Sequence, residues 1–529
     1  MSELNHGKRL LISSELPENP IATKMTLKED KTCGGRFRWN LIINALMIAM
    51  AAFPFYIPLE ATLGVNCFYA SLWLLFTFLA ANTLTKIHRT IKKVSIGQEQ
   101  PPTPSPIKFI LITFLYKEPL ELLLKTLQNV SQQRIAKEIV MVVCMEEKTP
   151  DKESKINAVF EQFTSLFGQL IITVHPYGTP GEIPGKCSNN NYGIRSVYAH
   201  LRQSEPNFDP NKYFVTNFDV DTIFHKNFLD IQMMNILKEK DRNNFVWQPV
   251  LFYNWGLDKL SVFTRITGLA RNMLMMGALI PFNINIMSVY TASLQLYIEG
   301  DFCHPTYQME DIICYIRWKT LSKRCLKIEP IYCPTISGPT SGSNMWQEFV
   351  EWVRQNKRWS VGSAEVFHYF IIKAPRIQFC SAFLWACNYL NYYASFICVQ
   401  SLLLITTTIR LFVMESDPVL QQYFCIPLIV VYICLFFMIF MNKLAVKYLL
   451  KDIVIEIIPI WKDFIHWILS LIVQVGYGLT VFYGFWEIFF CGKGVCTHEP
   501  SKKKVLDNIV KRKDETAIEV HQLQSERQA

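Results

Sequence analysis

The sequence predicts an α/β domain with a mixed, mostly parallel sheet, joined to a multi-spanning α-helical membrane region. Three observations point there. Half of the 529 residues are hydrophobic and only 18% are charged, and the mean hydropathy is +0.16 where soluble chains are usually negative. Long charge-free runs lie near both ends of the chain. Between them stands a stretch of mixed charge in which short β-branched or aromatic runs alternate with helix-like segments. This composition excludes a disordered chain, a collagen and a small disulfide scaffold. The formal charge of +9 arises from 53 Lys and Arg against 44 Asp and Glu. Much of the excess flanks apolar runs or sits in the tail, a pattern of membrane topology and not of nucleic-acid binding.

Residues 1–38 form a polar segment without the basic start, short apolar core and small-residue cleavage site of a removable signal peptide, so the first apolar span is expected to act as the signal. Residues 39–85 read as a transmembrane hairpin, Trp39–Leu59 and Ala61–Thr85, each long enough for a hydrocarbon core of about 30 Å. Arg36 and Arg38 precede it, only Glu60 interrupts it, and Lys86, His88, Arg89, Lys92 and Lys93 follow, which places both flanks in the cytosol. A Pro-rich linker, Gln98–Pro106, opens the cytosolic domain at residues 105–375. Its strand-length runs are Ile107–Tyr116, Glu138–Cys144, Leu170–His175 and Tyr213–Phe218, and a helix over 345–372 is expected to lie along the membrane interface.

Apolar character returns over 377–490, in the runs Ile377–Ile409, Val419–Met441 and Phe464–Trp486, which predicts at least three further spans. The acidic Met414–Pro418 is expected outside, and Lys443, Lys447 and Lys451 inside. The polar tail, 491–529, carries Lys502–Lys504 and Lys511–Lys513 and favours the cytosol, which needs an even number of spans after the domain. Three runs and a cytosolic tail do not agree, so either a further crossing is hidden or the tail lies outside. The 15 cysteines include no C-x-x-C pair. Cys491, Cys496 and His498 come closest to metal-ligand spacing, but structural zinc wants four ligands.

The chemistry-bearing residues form three clusters. Tyr213–Asp221 is an apolar strand ending in Asp219 and Asp221, spaced to share one strand face at the carboxyl edge of a parallel sheet, where such sheets bind ligands. Two carboxylates there suit a divalent ion shared with substrate phosphates; an exposed strand end with a turn accounts for them equally when they are taken alone. Glu310 and Asp311 open a helical pattern, where acids also satisfy the helix dipole. Gln355, Arg358 and Trp359 share one face of a later helix, adding an amide and a guanidinium fork to an aromatic. A buried amphipathic face accounts for Trp352 and Trp359, but not for those polar partners.

The ordered set Asp219-x-Asp221, Glu310-Asp311 and Gln355-x-x-Arg358-Trp359, flanked by membrane spans, resembles the membrane-embedded family 2 glycosyltransferases, the group of cellulose, chitin and hyaluronan synthases. The resemblance extends to Phe109–Glu118, to Phe218–Leu229, and to Gly185-Lys186 followed by Asn189–Asn191. It implies a cytosolic fold of the nucleotide-diphospho-sugar transferase type, an inverting transfer, and Mg2+ or Mn2+ as cofactor. By the same resemblance Asp219 would contact the nucleotide and Asp221 the metal, with Lys186, Gln355 and Arg358 at the donor diphosphate. Asp311 would be the general base, ionised by its helix-start position, and Trp359 and Glu310 would meet the acceptor. The partners implied are a UDP-sugar, a glycan or lipid-linked acceptor and the bilayer of the plasma membrane or Golgi.

The chain departs from that pattern in three places. Cys144-Met145-Glu146-Glu147 stands where the family has a paired-Asp segment for the uridine, which makes Glu146 the candidate for base recognition. Met309 replaces a common Thr, and only Val495-x-Thr497 resembles a gating loop. A processive polysaccharide synthase is the leading expectation. A transferase adding single sugars to a lipid or short glycan is the alternative, and a transporter or receptor with an inactive domain is a third class. A phosphate loop of the nucleotide-triphosphatase type fails, because Pro180 and Cys187 occupy positions that need Gly and Ser or Thr.

Overall fold

The computed structural model describes residues 8–13, 40–179, 182, 185–305, 307, 309–338, 341, 342, 344–373, 390–414, 417–454 and 458–491. In chain order come β1 (Arg9–Ile12), α1 (Asn40–Ala52), α2 (Leu59–Ser95), β2 (Lys108–Leu115), α3 (Leu120–Ser131), β3 (Val140–Glu146), α4 (Lys152–Phe163), β4 (Gln169–His175) and α5 (Lys186–Ser204). There follow β5 (Tyr213–Asp219), β6 (Thr222–Phe224), α6 (Phe228–Lys238), β7 (Phe245–Phe252), α7 (Val262–Leu274), β8 (Tyr290–Ser293), α8 (Leu294–Glu299), α9 (Glu310–Leu321) and β9 (Lys327–Ser337). The chain closes with α10 (Met345–Lys373), α11 (Asn391–Met414), α12 (Pro418–Tyr448) and α13 (Ile460–Cys491).

The nine strands among the described residues form one sheet in the order β1-β4-β3-β2-β5-β8-β7-β9-β6. The β1-β4-β3-β2-β5 half is parallel throughout, β7 pairs β9 in parallel, and the remaining neighbours are antiparallel. This is the mixed, mostly parallel sheet that the alternation of runs predicts. The central strands are buried on both faces, which explains why Ile110–Phe114 and Val140–Met145 read as continuous apolar runs and not as alternating ones. Strand β1 was hidden in a segment read as polar throughout: Leu10, Leu11 and Ile12 pair with Ile171, Ile172 and Thr173 at the sheet edge. The side chain of Asn129 exchanges hydrogen bonds of 2.8 and 3.0 Å with the backbone of Phe224 and so joins α3 to β6.

Helices α2, α11, α12 and α13 are each long and apolar enough to cross a membrane, and Asn40–Phe55 is a shorter apolar helix. Polar side chains tie them together: Asn66 Nδ2 donates to Thr407 (3.2 Å) and Trp73 Nε1 to Gln400 (3.1 Å). Arg410 closes the turn between α1 and α2 by donating to the carbonyls of Pro54 and Ile57.

The α/β domain is locked to these helices at several points. A Cβ on Gly277, just after α7, would stand 2.1 Å from the Phe76 carbonyl of α2, so only glycine allows that approach. Asn442 of α12 accepts from Asn254 (2.9 Å) and Asn272 (3.2 Å). Helix α10 lies along α13, where Gly484 abuts Ser360 and Lys357 pairs with Glu487 at 2.9 Å. The expected metal candidates Cys496 and His498, the gating-loop echo and the basic tail lie outside the described residues.

Candidate active site

A cleft of about 1280 Å³, counted to its open mouth, sits at the carboxyl ends of β2, β3 and β5, between the first turns of α5 and α9 and the middle of α10. This is where a parallel sheet fans open and leaves its strand ends free of cover. Its walls include Glu146, Lys186, Asp219, Glu310, Asp311, Gln355, Arg358 and Trp359, brought together from five separate elements. Of the residues to which the resemblance or its departures gave a site role, Asp221 alone is not on that wall.

The position of Asp221 corrects the strand-face expectation. Strand β5 ends at Asp219 and β6 begins at Thr222, so the pleat that would align the two carboxylates is broken between them. Thr126 of α3 holds the turn by donating to the Val220 carbonyl (2.6 Å), and the Gly338 amide donates to the Asp221 carbonyl (3.1 Å). Asp219 consequently faces the cleft, whereas Asp221 is only 1% exposed and packs under Gly338, where a Cβ would meet its carboxylate at 2.6 Å. Among the described residues no group of three or more His, Cys, Asp or Glu is set to hold a metal. The donor set suits an ion that takes one or two carboxylates and completes its shell with ligand phosphates and water, and not an all-protein cage.

Lys186 begins α5 because Gly185, with φ of 146°, adopts a backbone that other residues avoid and turns the chain into the helix. Its ammonium bridges Asp219, at 2.8 Å, and Glu310. Burial alone would lower its pKa, but the two carboxylates outweigh burial and hold it raised. Lys186, expected at the donor diphosphate, and Glu310, expected at the acceptor, both line the cleft and are paired with each other.

Asp311 stands in the first turn of α9 and accepts the amide of Ile312 at 2.8 Å. The expected ionisation is corrected as well. Burial, followed by the negative charge of Glu310, pushes its pKa up to about 8, against the pull of Lys186. A helix start contributes typically 0.3–1 kcal/mol, too little to offset desolvation of a carboxylate. A carboxyl tuned to this range is a stronger proton acceptor than an ordinary aspartate.

Glu146 ends β3 in the cleft, its pKa raised by burial and partly restored by His175. Asn189 of α5 lines the same wall and donates to the Cys144 carbonyl at 3.2 Å. On α10, Trp352 is the buried structural tryptophan, donating to Thr267 (2.9 Å), while Trp359 faces the cleft. The sequence reading missed Tyr253, Arg271 and Tyr393, which also line it. Arg271 lies over the rings of both Tyr253 and Trp359, at 3.7 and 3.6 Å. No motif surrounds these three, and only the fold assembles them.

No family model and no curated protein matches the sequence. Among solved structures the chain is similar to a mannosyltransferase of Pyrobaculum calidifontis in complex with GDP-Man and Mn2+, at 11% identity and a TM-score of 0.43, covering 80% of this chain and 99% of that one. It is also similar to residues 1–349 of S. aureus TarS in complex with UDP, at 13% identity and a TM-score of 0.32, covering 76% and 95%. A third is glucosyl-3-phosphoglycerate synthase from Mycobacterium tuberculosis with Mn2+ and UDP-Glc, at 14% identity and a TM-score of 0.26, covering 50% and 80%. At such scores the function is read from the cleft itself.

Proposed function

We propose that the chain is a membrane-embedded glycosyltransferase that moves a sugar from a nucleotide-diphosphate donor to a glycan or lipid-linked acceptor with inversion. The observation that carries this reading is the convergence of Asp219, Asp311, Gln355, Arg358 and Trp359 on one cleft at the carboxyl ends of β2, β3 and β5. Asp311 accepts the proton of the acceptor hydroxyl as that oxygen attacks the anomeric carbon. The bond from that carbon to the donor diphosphate breaks on the opposite face, and its electron pair leaves with the diphosphate. Arg358 and Gln355 stabilise the departing charge, since donors fixed in a water-poor cleft act where the charge develops. Glu146 contacts the base, and Lys186 holds Asp219 and Glu310 in register beneath the donor. Asp219, the carboxylate that faces the cleft, would hold Mg2+ or Mn2+, which when bound neutralises diphosphate charge.

The finer proposal is a processive synthase of the family 2 type, with α2, α11, α12 and α13 as spans in the plasma membrane or Golgi and the cleft on the cytosolic side. Incubating membranes that carry the full chain with a panel of labelled sugar nucleotides and Mn2+ tests the reading. Metal-dependent incorporation from one donor is expected, with long products if the enzyme is processive. Incorporation from none would reject it.

A further inference from the structure

Arg271 lines the cleft, and the reaction above gives it no task. It sits on α7 between Tyr253 and Trp359, its guanidinium 3.7 and 3.6 Å from the two ring centroids. Two aromatic rings thereby pack against the guanidinium, and a stacked guanidinium keeps its N–H donors for partners at the edge of the stack. Among the described residues no hydrogen bond or ion pair engages that guanidinium. The comparison with other arginines is instructive. Arg265, on the same helix, is buried and engaged with Asp463 (2.5 Å) and His466 (3.0 Å). Arg317 is engaged with Asp301 and Arg324 with Glu299.

The stack is also held in place. The Tyr253 amide donates to Asn272 Oδ1 at 2.7 Å, and Asn272 Nδ2 donates to Asn254 (2.7 Å) and to Asn442 of α12 (3.2 Å). Tyr393 of α11 lines the same cleft, so this side of it is continuous with the apolar helices. An arginine fork with a fixed plane and uncommitted donors matches the geometry of a phosphate or carboxylate. One face of Trp359 is meanwhile occupied by Arg271, which removes that face as a platform for a neutral sugar ring.

We propose that Arg271 is an oxyanion-recognising residue of the acceptor subsite, so that the acceptor carries a phosphate or carboxylate that includes, or lies close to, the oxygen that is glycosylated. This rests on the transferase reading and narrows its acceptor class. The test uses the purified full chain and reads binding without turnover. The probes are a C15 isoprenyl phosphate, its uncharged alcohol, an oligoglucuronate, a neutral glucan oligosaccharide, and UDP with Mn2+.

The wild type is expected to prefer one anionic probe over its neutral counterpart by about tenfold or more, the scale of a charge-assisted fork. Arg271→Gln should abolish that preference and leave UDP binding within about twofold. Arg271→Lys, which keeps the charge but loses the fork, should fall between, and it replaces the Gln variant if that one melts early. Preference for the isoprenyl phosphate identifies a lipid source, and preference for the oligouronate a glycan source. Equal binding of charged and neutral probes, or a preference that survives Arg271→Gln, overturns the proposal. So does a tenfold loss of UDP affinity in that variant, which would assign Arg271 to the donor diphosphate. If UDP does not bind the wild type, GDP with Mn2+ takes its place, and failure of both rejects the transferase reading, while the paired probes still decide whether Arg271 recognises an oxyanion.

Discussion

On one wall of the cleft Asp219, Glu310 and Asp311 crowd around Lys186; on the other, Tyr253, Arg271 and Trp359 stack, with Arg358 and Gln355 beside them. The first wall is a buried network in which one ammonium serves several carboxylates. Such networks are costly when any member is lost. The second wall presents two guanidiniums and aromatic surface. On the proposed function the contrast is a division of labour: proton acceptance falls to the wall where burial has raised a carboxyl pKa, and anion binding to the wall that carries Arg271 and Arg358.

The comparison breaks most visibly at Asp311. Asp311→Asn should lower sugar transfer by roughly 10²–10⁴, the usual contribution of a general base, with nucleotide binding retained. Rates measured beside UDP affinity check it, and a variant that keeps its turnover would remove Asp311 from the reaction. Lys186→Met should be the most destabilising change in the cleft, by about 3–5 kcal/mol, because it leaves buried carboxylates without their shared cation. Chemical denaturation of the full chain in detergent reads this. Lys186→Arg should recover part of the loss.

Acidity gives a smaller and directional effect. Activity should rise with pH through about 8 as Asp311 loses its proton, and the rise should vanish in Asp311→Asn. Stability runs the other way. The folded state holds this proton up to about pH 8, whereas an unfolded aspartate releases it near 3.8. Between those values the folded state binds more protons, so this group's contribution falls as pH rises. Asp311→Asn should therefore melt a few degrees above the wild type at alkaline pH, on a scale of about 2–4 °C per kcal/mol relieved. Equal melting curves at pH 6 and pH 9 for both proteins would mean that the carboxyl is not desolvated.

Much of the fold was legible because its signals are local. The runs of β2 to β5 are long and apolar, and the three cleft clusters are short motifs, two of them at element ends. What was not legible depends on distance in the chain. Arg271 and Tyr253 flank no motif, and their importance arises only when α7 brings them against Trp359 of α10. The pairing of Lys186 with Glu310 joins residues more than a hundred positions apart, so the sequence assigned each its own ligand. The two aspartates after β5 were misjudged for a local reason: i and i+2 share a face only while the strand lasts, and β5 stops at the first of them. Strand β1 was missed because four residues at a sheet edge carry too little pattern to stand out from a polar segment.

The most direct measurement is the affinity of the purified full chain for UDP and GDP with Mn2+, compared among wild type, Arg358→Gln and Asp311→Asn. The account predicts metal-dependent binding of at least one of the two, weakened about tenfold or more by Arg358→Gln and little changed by Asp311→Asn. Failure of both nucleotides to bind, or binding indifferent to Arg358, would contradict it.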